Sequence, residues 1–302
     1  MRPPSLSRMI LDYSSRVSAL AALPSPTDLV DLPYMRTALA EIALLAVAAG
    51  LLGAWIVLRR LAFYAHAVGT VPFPGLVIAD ATGFSATVAA LAMALAYAGG
   101  VERAARSGRT PSDTVTALGL VVALAIGVVL ASDVFDSGAA VDRLLFGTAI
   151  GLGGEDLAVA AGAAVLAALA TLLLGRAWTA AAFDRPGAEA IGLPARTADL
   201  ALLGLIAVAA VAALPAVGAL LVASLFVVPA ACARLLARTI PQLLALSVGV
   251  ALLQGAAGLY VSLWLDVAPG PAVAVTGATL YACVALASAA SSVRAPAPLE
   301  AT

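Results

Sequence analysis

The residues able to do chemistry in this 302-residue chain are few and far apart, and they begin with its single histidine, His66. His66 and Thr70 are spaced i, i+4, so on a helix they share one face. They stand directly before Pro72, Pro74 and Gly75 in the apolar stretch AFYAHAVGTVPFPGLVIAD, residues 62–80. A helix interrupted by proline has backbone groups without partners, which hydrocarbon does not tolerate. Such a break belongs inside protein or beside a cavity. With its imidazole and hydroxyl, the segment reads as a candidate substrate path made of His66, Thr70, Pro74, Gly75 and Asp80. The competing reading makes His66 a hydrogen-bonded packing residue between helices.

What is missing is equally informative. All 16 basic residues are arginine. Without lysine there is no Walker-type phosphate loop and no Schiff-base chemistry. One histidine and two cysteines are too few for a tetrahedral zinc site of nitrogen and sulfur ligands. Cys232 and Cys283 lie in apolar runs and read as small buried hydrophobes, with no disulfide framework. Ser224 and Ser262 have no histidine near them in sequence, and no carboxylate pair is visible, so the chain is not expected to be an enzyme. No tightly bound cofactor and no nucleic-acid partner are implied.

These residues need a scaffold, and the composition dictates which. The chain is 63% apolar and only 11% charged, with a mean hydropathy of +1.07. Soluble domains carry about twice that charged fraction. The expected fold class is therefore all-α, a polytopic membrane protein in the lipid bilayer. Spans of about 20 apolar residues are expected at 38–58, 65–80, 83–99, 114–132, 156–174, 198–213, 216–233, 242–264 and 270–289, with eight to nine transmembrane helices, some short or broken. Ala46, Gly50 and Ala54 in the first span have the small-residue spacing that lets helix backbones approach. Residues 1–35 read either as an interfacial helix over 6–22 or as an irregular tail. A signal peptide is not expected there, because Asp12 interrupts the apolar run. Residues 36–290 form the transmembrane domain and 291–302 a C-terminal tail.

Arginine asymmetry orients the bundle. If Arg59 and Arg60 are cytoplasmic, alternation puts eleven arginines on that side, the others being Arg103, Arg106, Arg109, Arg176, Arg185, Arg196, Arg234, Arg238 and Arg294. Outside, past the first span, only Arg143 remains, beside Asp133, Asp136 and Asp142. This predicts a multi-pass protein of the cell membrane with its N-terminus outside and its C-terminus cytoplasmic. On the cytoplasmic side lies FDRPGAEAIGLPARTADL, residues 183–200. Asp184 can cap a short helix with Pro186 in its first turn, and Gly192 can end it before Pro194. One or two turns of helix between spans make a rigid knob, of the kind needed to take force from a soluble partner. The alternative is an ordinary loop. Residues 214–238, with Gly218 early and Pro229 late, read as a kinked helix after a short re-entrant piece. Residues 260–280 read as helix–turn–helix, with Asp266 in an outer turn.

Several stretches, in order, resemble the integral-membrane permeases of ABC importers for zinc, manganese or iron. They are YMRTALAEIALLAVAAGLLGAWIVLRRLAF (34–63), FPG (73–75), LLFGTAIGLGGEDL (144–157), the D-x-x-x-A-x-x-x-G-L pattern of 184–193, VGALLVASLFVVPAACARLLA (217–237) and LYVSLWLDVAPGPAVAV (259–275). The resemblance covers roughly residues 34–290. It implies two permeases, either two copies of this chain or this chain and a relative, a cytoplasmic ABC ATPase dimer and an extracytoplasmic substrate-binding protein. ATP binding and hydrolysis would then drive alternating access through the knob at 184–193, with Asp184, Arg185, Pro186, Glu189 and Gly192 as the coupling residues. The phosphate chemistry would sit on another polypeptide, as the missing lysines require.

One block departs from the family pattern. The family's second motif has an Asp and a His four residues apart before Pro-Gly. Aligned on Pro74 and Gly75, those positions hold His66 and Thr70. A carboxylate–imidazole pair suits a divalent cation in transit, whereas His66 and Thr70 supply one strong donor and no negative charge. His66 is then a transient metal ligand, and Asp80, two to three turns beyond Thr70, or a partner subunit restores the charge. Otherwise the cargo is a non-metal or chelated species. The reading from another class is a self-contained secondary transporter using ionisable residues in its spans. Only His66, Glu41, Asp80 and Asp199 lie in or near spans, with Glu41 and Asp199 placed at the interface.

Overall fold

A computed structural model describes residues 33–107, 112–134, 146–148, 152–219 and 221–293. The readings of the N-terminal segment, of Arg109, Arg143, Asp136 and Asp142, and of the C-terminal tail from Arg294 lie outside the described residues. The described residues contain helices and turns and no strand. In chain order the helices are α1 (Pro33–Leu58), α2 (Ala62–Thr70), α3 (Phe73–Thr82), α4 (Ala86–Ser107), α5 (Ser112–Val129, continued by a π-turn at Leu130–Val134), α6 (Gly154–Phe183), α7 (Arg185–Ala190), α8 (Ala195–Val217), α9 (Val222–Leu236), α10 (Ile240–Leu265) and α11 (Pro269–Val293). Eight spans are long and apolar enough to cross a membrane, with α2 and α3 counted as one, and α9 is a shorter apolar helix. The protein is the all-α polytopic bundle that the composition demands.

α1 is the central post. It packs against α6, α8, α9 and α10 and buries Ile42, Leu45, Leu52, Trp55 and Ile56. The approach is close because the contact residues are small: a Cβ on Gly53 would strike the Phe226 carbonyl of α9. Ala46 and Ala54 are fully buried. Lipid supplies no hydrophobic drive between helices, so this backbone proximity is where packing energy is gained.

Three elements differ from the sequence reading. α6 runs to Phe183 instead of stopping near 174. Apolar counting ends at Arg176, but the alanine-rich 177–183 has no reason to leave the helix. Its 30 residues span about 45 Å, more than a hydrocarbon core of about 30 Å. The second difference is at 213–222, where the boundary between spans falls at Gly218 and not before Pro215. Pro215 is tolerated in the last turn of α8, whereas Gly218 adopts φ +82, ψ 155, a backbone conformation that side chains disfavour. This turn is covered by protein: the Thr148 N–H donates to the Pro215 carbonyl. Third, Cys283 is exposed, so only Cys232 is the buried residue that both cysteines were read to be.

Candidate functional site

Two places on this scaffold answer to the sequence reading. In the first, the path segment, Val71 and Pro72 both keep right-handed helical angles between α2 and α3. Hydrogen bonds continue across them, from Val71 N–H to the Ala67 carbonyl and from Leu76 N–H to the Pro72 carbonyl. The break is thus a kink and not an unwound stretch. Pro72 and Pro74 still deny the Val68 and Thr70 carbonyls their usual donors four residues on.

The side chains there are arranged as follows. His66 is half-buried and Thr70 buried. The Thr70 hydroxyl donates to the His66 carbonyl at 3.3 Å, a bond within its own helix. Pro74 and Gly75 are buried, and a Cβ on Gly75 would come within 2.7 Å of Met93 Sδ in α4. Gly75 thus lets α3 lie against α4. Asp80 is exposed on α3, ten residues and about 15 Å of helix beyond Thr70. The structure brings His66 and Thr70 together and leaves Asp80 apart. Among the described residues no group of three or more His, Cys, Asp or Glu is gathered to hold a metal ion.

The second place is built on α7. Asp184 accepts the Gly187 N–H at 3.0 Å and caps the helix, with Pro186 in its first turn. A Cβ on Gly187 would run into that carboxylate, so the tight cap requires glycine. Gly192 adopts φ +79, and its N–H donates to the Glu189 carbonyl. Ala188 alone in α7 is buried, holding the helix against its neighbours. Two large apolar side chains flank it in the open: Phe183 is 79% exposed and Ile191 75% exposed.

Beneath α7 lies a charged layer that spacing alone does not reveal. Asp199, read as interfacial, is a buried carboxylate that receives Arg59 Nη2 at 2.6 Å and Arg185 Nη2 at 2.9 Å. Glu189 lies 3.8 Å from both Arg185 and Arg196. Glu102, mostly buried, pairs with Arg106 at 2.9 Å. A cleft of about 140 Å³ opens between Arg59, Glu102, Asp113, Arg185 and Asp199. Two tryptophans stiffen the base. Trp178 donates to the Ala198 carbonyl at 2.7 Å, and its ring meets Trp55 edge-on at 5.4 Å. Nothing in the spacing of residues 59, 185 and 199 pointed to their meeting. The signal available was a lone aspartate in the first turn of an apolar helix, a position that demands a cation.

Comparison with known proteins bears on this arrangement, a helical bundle with a capped knob. The profile of the ABC 3 transport family matches residues 31–288. The chain belongs to that family. Among its relatives is the manganese transport system membrane protein MntC of Halalkalibacterium halodurans, 29% identical over 84% of this chain and 87% of the relative. The chelated iron transport system membrane protein YfeD of Yersinia pestis is 28% identical, over 82% of this chain and 84% of the relative. In structure the fold is similar to PsaBC from Streptococcus pneumoniae in complex with Fab, with a TM-score of 0.76 and 23% identity, covering 85% of this chain and 92% of that one. This chain is thus a multi-pass ABC transport permease, a membrane subunit and not an enzyme. Its resemblance to that class, first drawn from six short blocks, extends over nearly the whole described bundle.

Proposed function

We propose that this permease imports a divalent transition-metal ion of the manganese, zinc or iron class, and that separate cytoplasmic ATPase subunits drive it through α7. A second permease, copy or relative, completes the conduit, and an extracytoplasmic binding protein delivers the cargo. The Arg-rich end of the bundle, with α7, faces the cytoplasm, so that the N-terminus is outside and the C-terminus inside. The observation that carries this is α7 itself: a capped, ion-paired helix, lifted by the long α6, that holds Phe183 and Ile191 open to solvent on a chain with no lysine. Apolar side chains in that position suit a groove on a soluble partner. Relatives named for manganese and chelated iron transport support the cargo class.

Uptake of radiolabelled Mn²⁺ into liposomes checks this, with the permease reconstituted alone and together with the P-loop ATPase that co-purifies with it. Uptake should require the ATPase and ATP, and Glu189→Ala should leave a folded chain whose transport is uncoupled from hydrolysis. Full-rate uptake by the permease alone, without nucleotide, would remove the proposal. One observation favours a second cargo reading. His66 is the single strong donor at the kink and the Thr70 hydroxyl is bonded within its helix, so a chelated metal suits the path as well as a bare ion. Competition between Mn²⁺ and an iron chelate in the same assay separates the two.

A further inference from the structure

We infer that Asp199 is a positioning residue, the joint through which movement of α7 reaches the first span; this rests on the proposed docking of ATPase subunits at α7. The chain there is assembled from three distant stretches. Arg59 is the residue after α1, Arg185 opens α7, and Asp199 lies in the first turns of α8. α7 packs on α6 and α8, and the Asp199 carboxylate extends that contact to the end of α1. One oxygen takes Arg59 and the other takes Arg185, at 2.6 and 2.9 Å.

Burial makes the link stiff. The Asp199 and Arg59 side chains are only 8% and 13% exposed. Withdrawing one partner from such a group leaves a charge neither solvated nor paired, which is far more costly than the pair is beneficial. A displacement of α7 therefore carries Arg185, Asp199 and Arg59 together. The link is also asymmetric. Arg185 is about half exposed, whereas Arg59 Nη1 is buried with no hydrogen-bonding partner among the described residues. Arg59 thus depends on Asp199 alone and must follow it. Trp55, one turn earlier on α1, stacks on Trp178 of α6, so motion at Arg59 is passed into a rigid post that runs through the bundle.

The test is cargo moved per ATP hydrolysed in the reconstituted permease–ATPase complex. Asp199→Asn keeps size and burial but loses the charge, and it should lower that ratio by about tenfold while the complex still assembles. Asp199→Glu should recover part of the loss. Asp199→Asn combined with Arg59→Gln should be no worse than either alone, because both cut the same link. An unchanged ratio in Asp199→Asn overturns the inference. A second measurement needs no change at Asp199: spin labels at Arg60→Cys and Ala190→Cys, in a Cys283→Ala background, should keep a constant separation when ATP binds. A separation that changes with ATP overturns the inference as well. Failure of the docking reading looks different, because Ile191→Asp would then assemble and couple normally whatever Asp199 does.

Discussion

The two ends of the α2–α3 kink and the α7 platform are both polar places in an apolar molecule, yet they are built on opposite plans. At α7 every charged group is matched to another: Asp199 by Arg59 and Arg185, Glu189 by Arg185 and Arg196, Glu102 by Arg106. At the kink there is one imidazole, a hydroxyl bonded to its own helix, and two carbonyls freed by prolines. The first plan transmits force, which needs stiffness and fixed geometry. The second lets something pass, which needs weak and replaceable partners. In this permease the machinery of coupling is complete while the chemistry of cargo selection is reduced to His66.

The sharpest way to break that comparison is to dismantle one side of it. Replacing residues 186–192 with an equal length of Gly and Ser should abolish ATP-driven uptake and assembly with the ATPase. The fold should survive, because α7 buries only Ala188 and its cap is worth about 1 kcal/mol. Uptake assays and thermal unfolding of the same preparation check both halves. Retained transport would make α7 an ordinary loop.

A smaller effect is expected on the path side. His66→Asp with Thr70→His restores the carboxylate–imidazole pair on the same helix face. Apparent affinity for bare Mn²⁺ should rise by about tenfold, roughly 1.4 kcal/mol of binding. Uptake as a function of Mn²⁺ concentration measures it. No change would show that the kink lies off the route, and that specificity is set elsewhere.

How far each region could be read in the sequence follows from the physics that forms it. The capped helix at Asp184 was legible because a cap, a first-turn proline and a terminal glycine are local signals, all within ten residues. The spans were legible because bilayer thickness fixes their length. The Arg59–Asp199–Arg185 link was not, since it joins residues 126 and 140 apart in sequence through tertiary packing. The kink was only half legible. Prolines announced a break, but the extent of unwinding depends on helices α4 and α5 that hold Phe73 and Gly75 in place. Glu41 was misread for a related reason: being near the start of a span says nothing about which way the helix turns its side chain.

Glu41 gives the mildest test and the one that sharpens the comparison most. Its side chain sits within α1, fully buried, and among the described residues neither carboxylate oxygen has a hydrogen-bonding partner. It follows neither plan: it is not matched like the α7 charges and not accessible like His66. A polar group held in that state costs about 1–3 kcal/mol relative to an apolar group of similar shape. Glu41→Met should therefore raise the midpoint of thermal unfolding in detergent, with ATP-driven uptake unchanged, as expected of a residue outside both working regions. The opposite pattern, a chain of equal or greater stability that no longer transports, would make Glu41 part of the route for cargo. The selective chemistry would then be divided between α1 and the kink, and His66 would no longer stand alone.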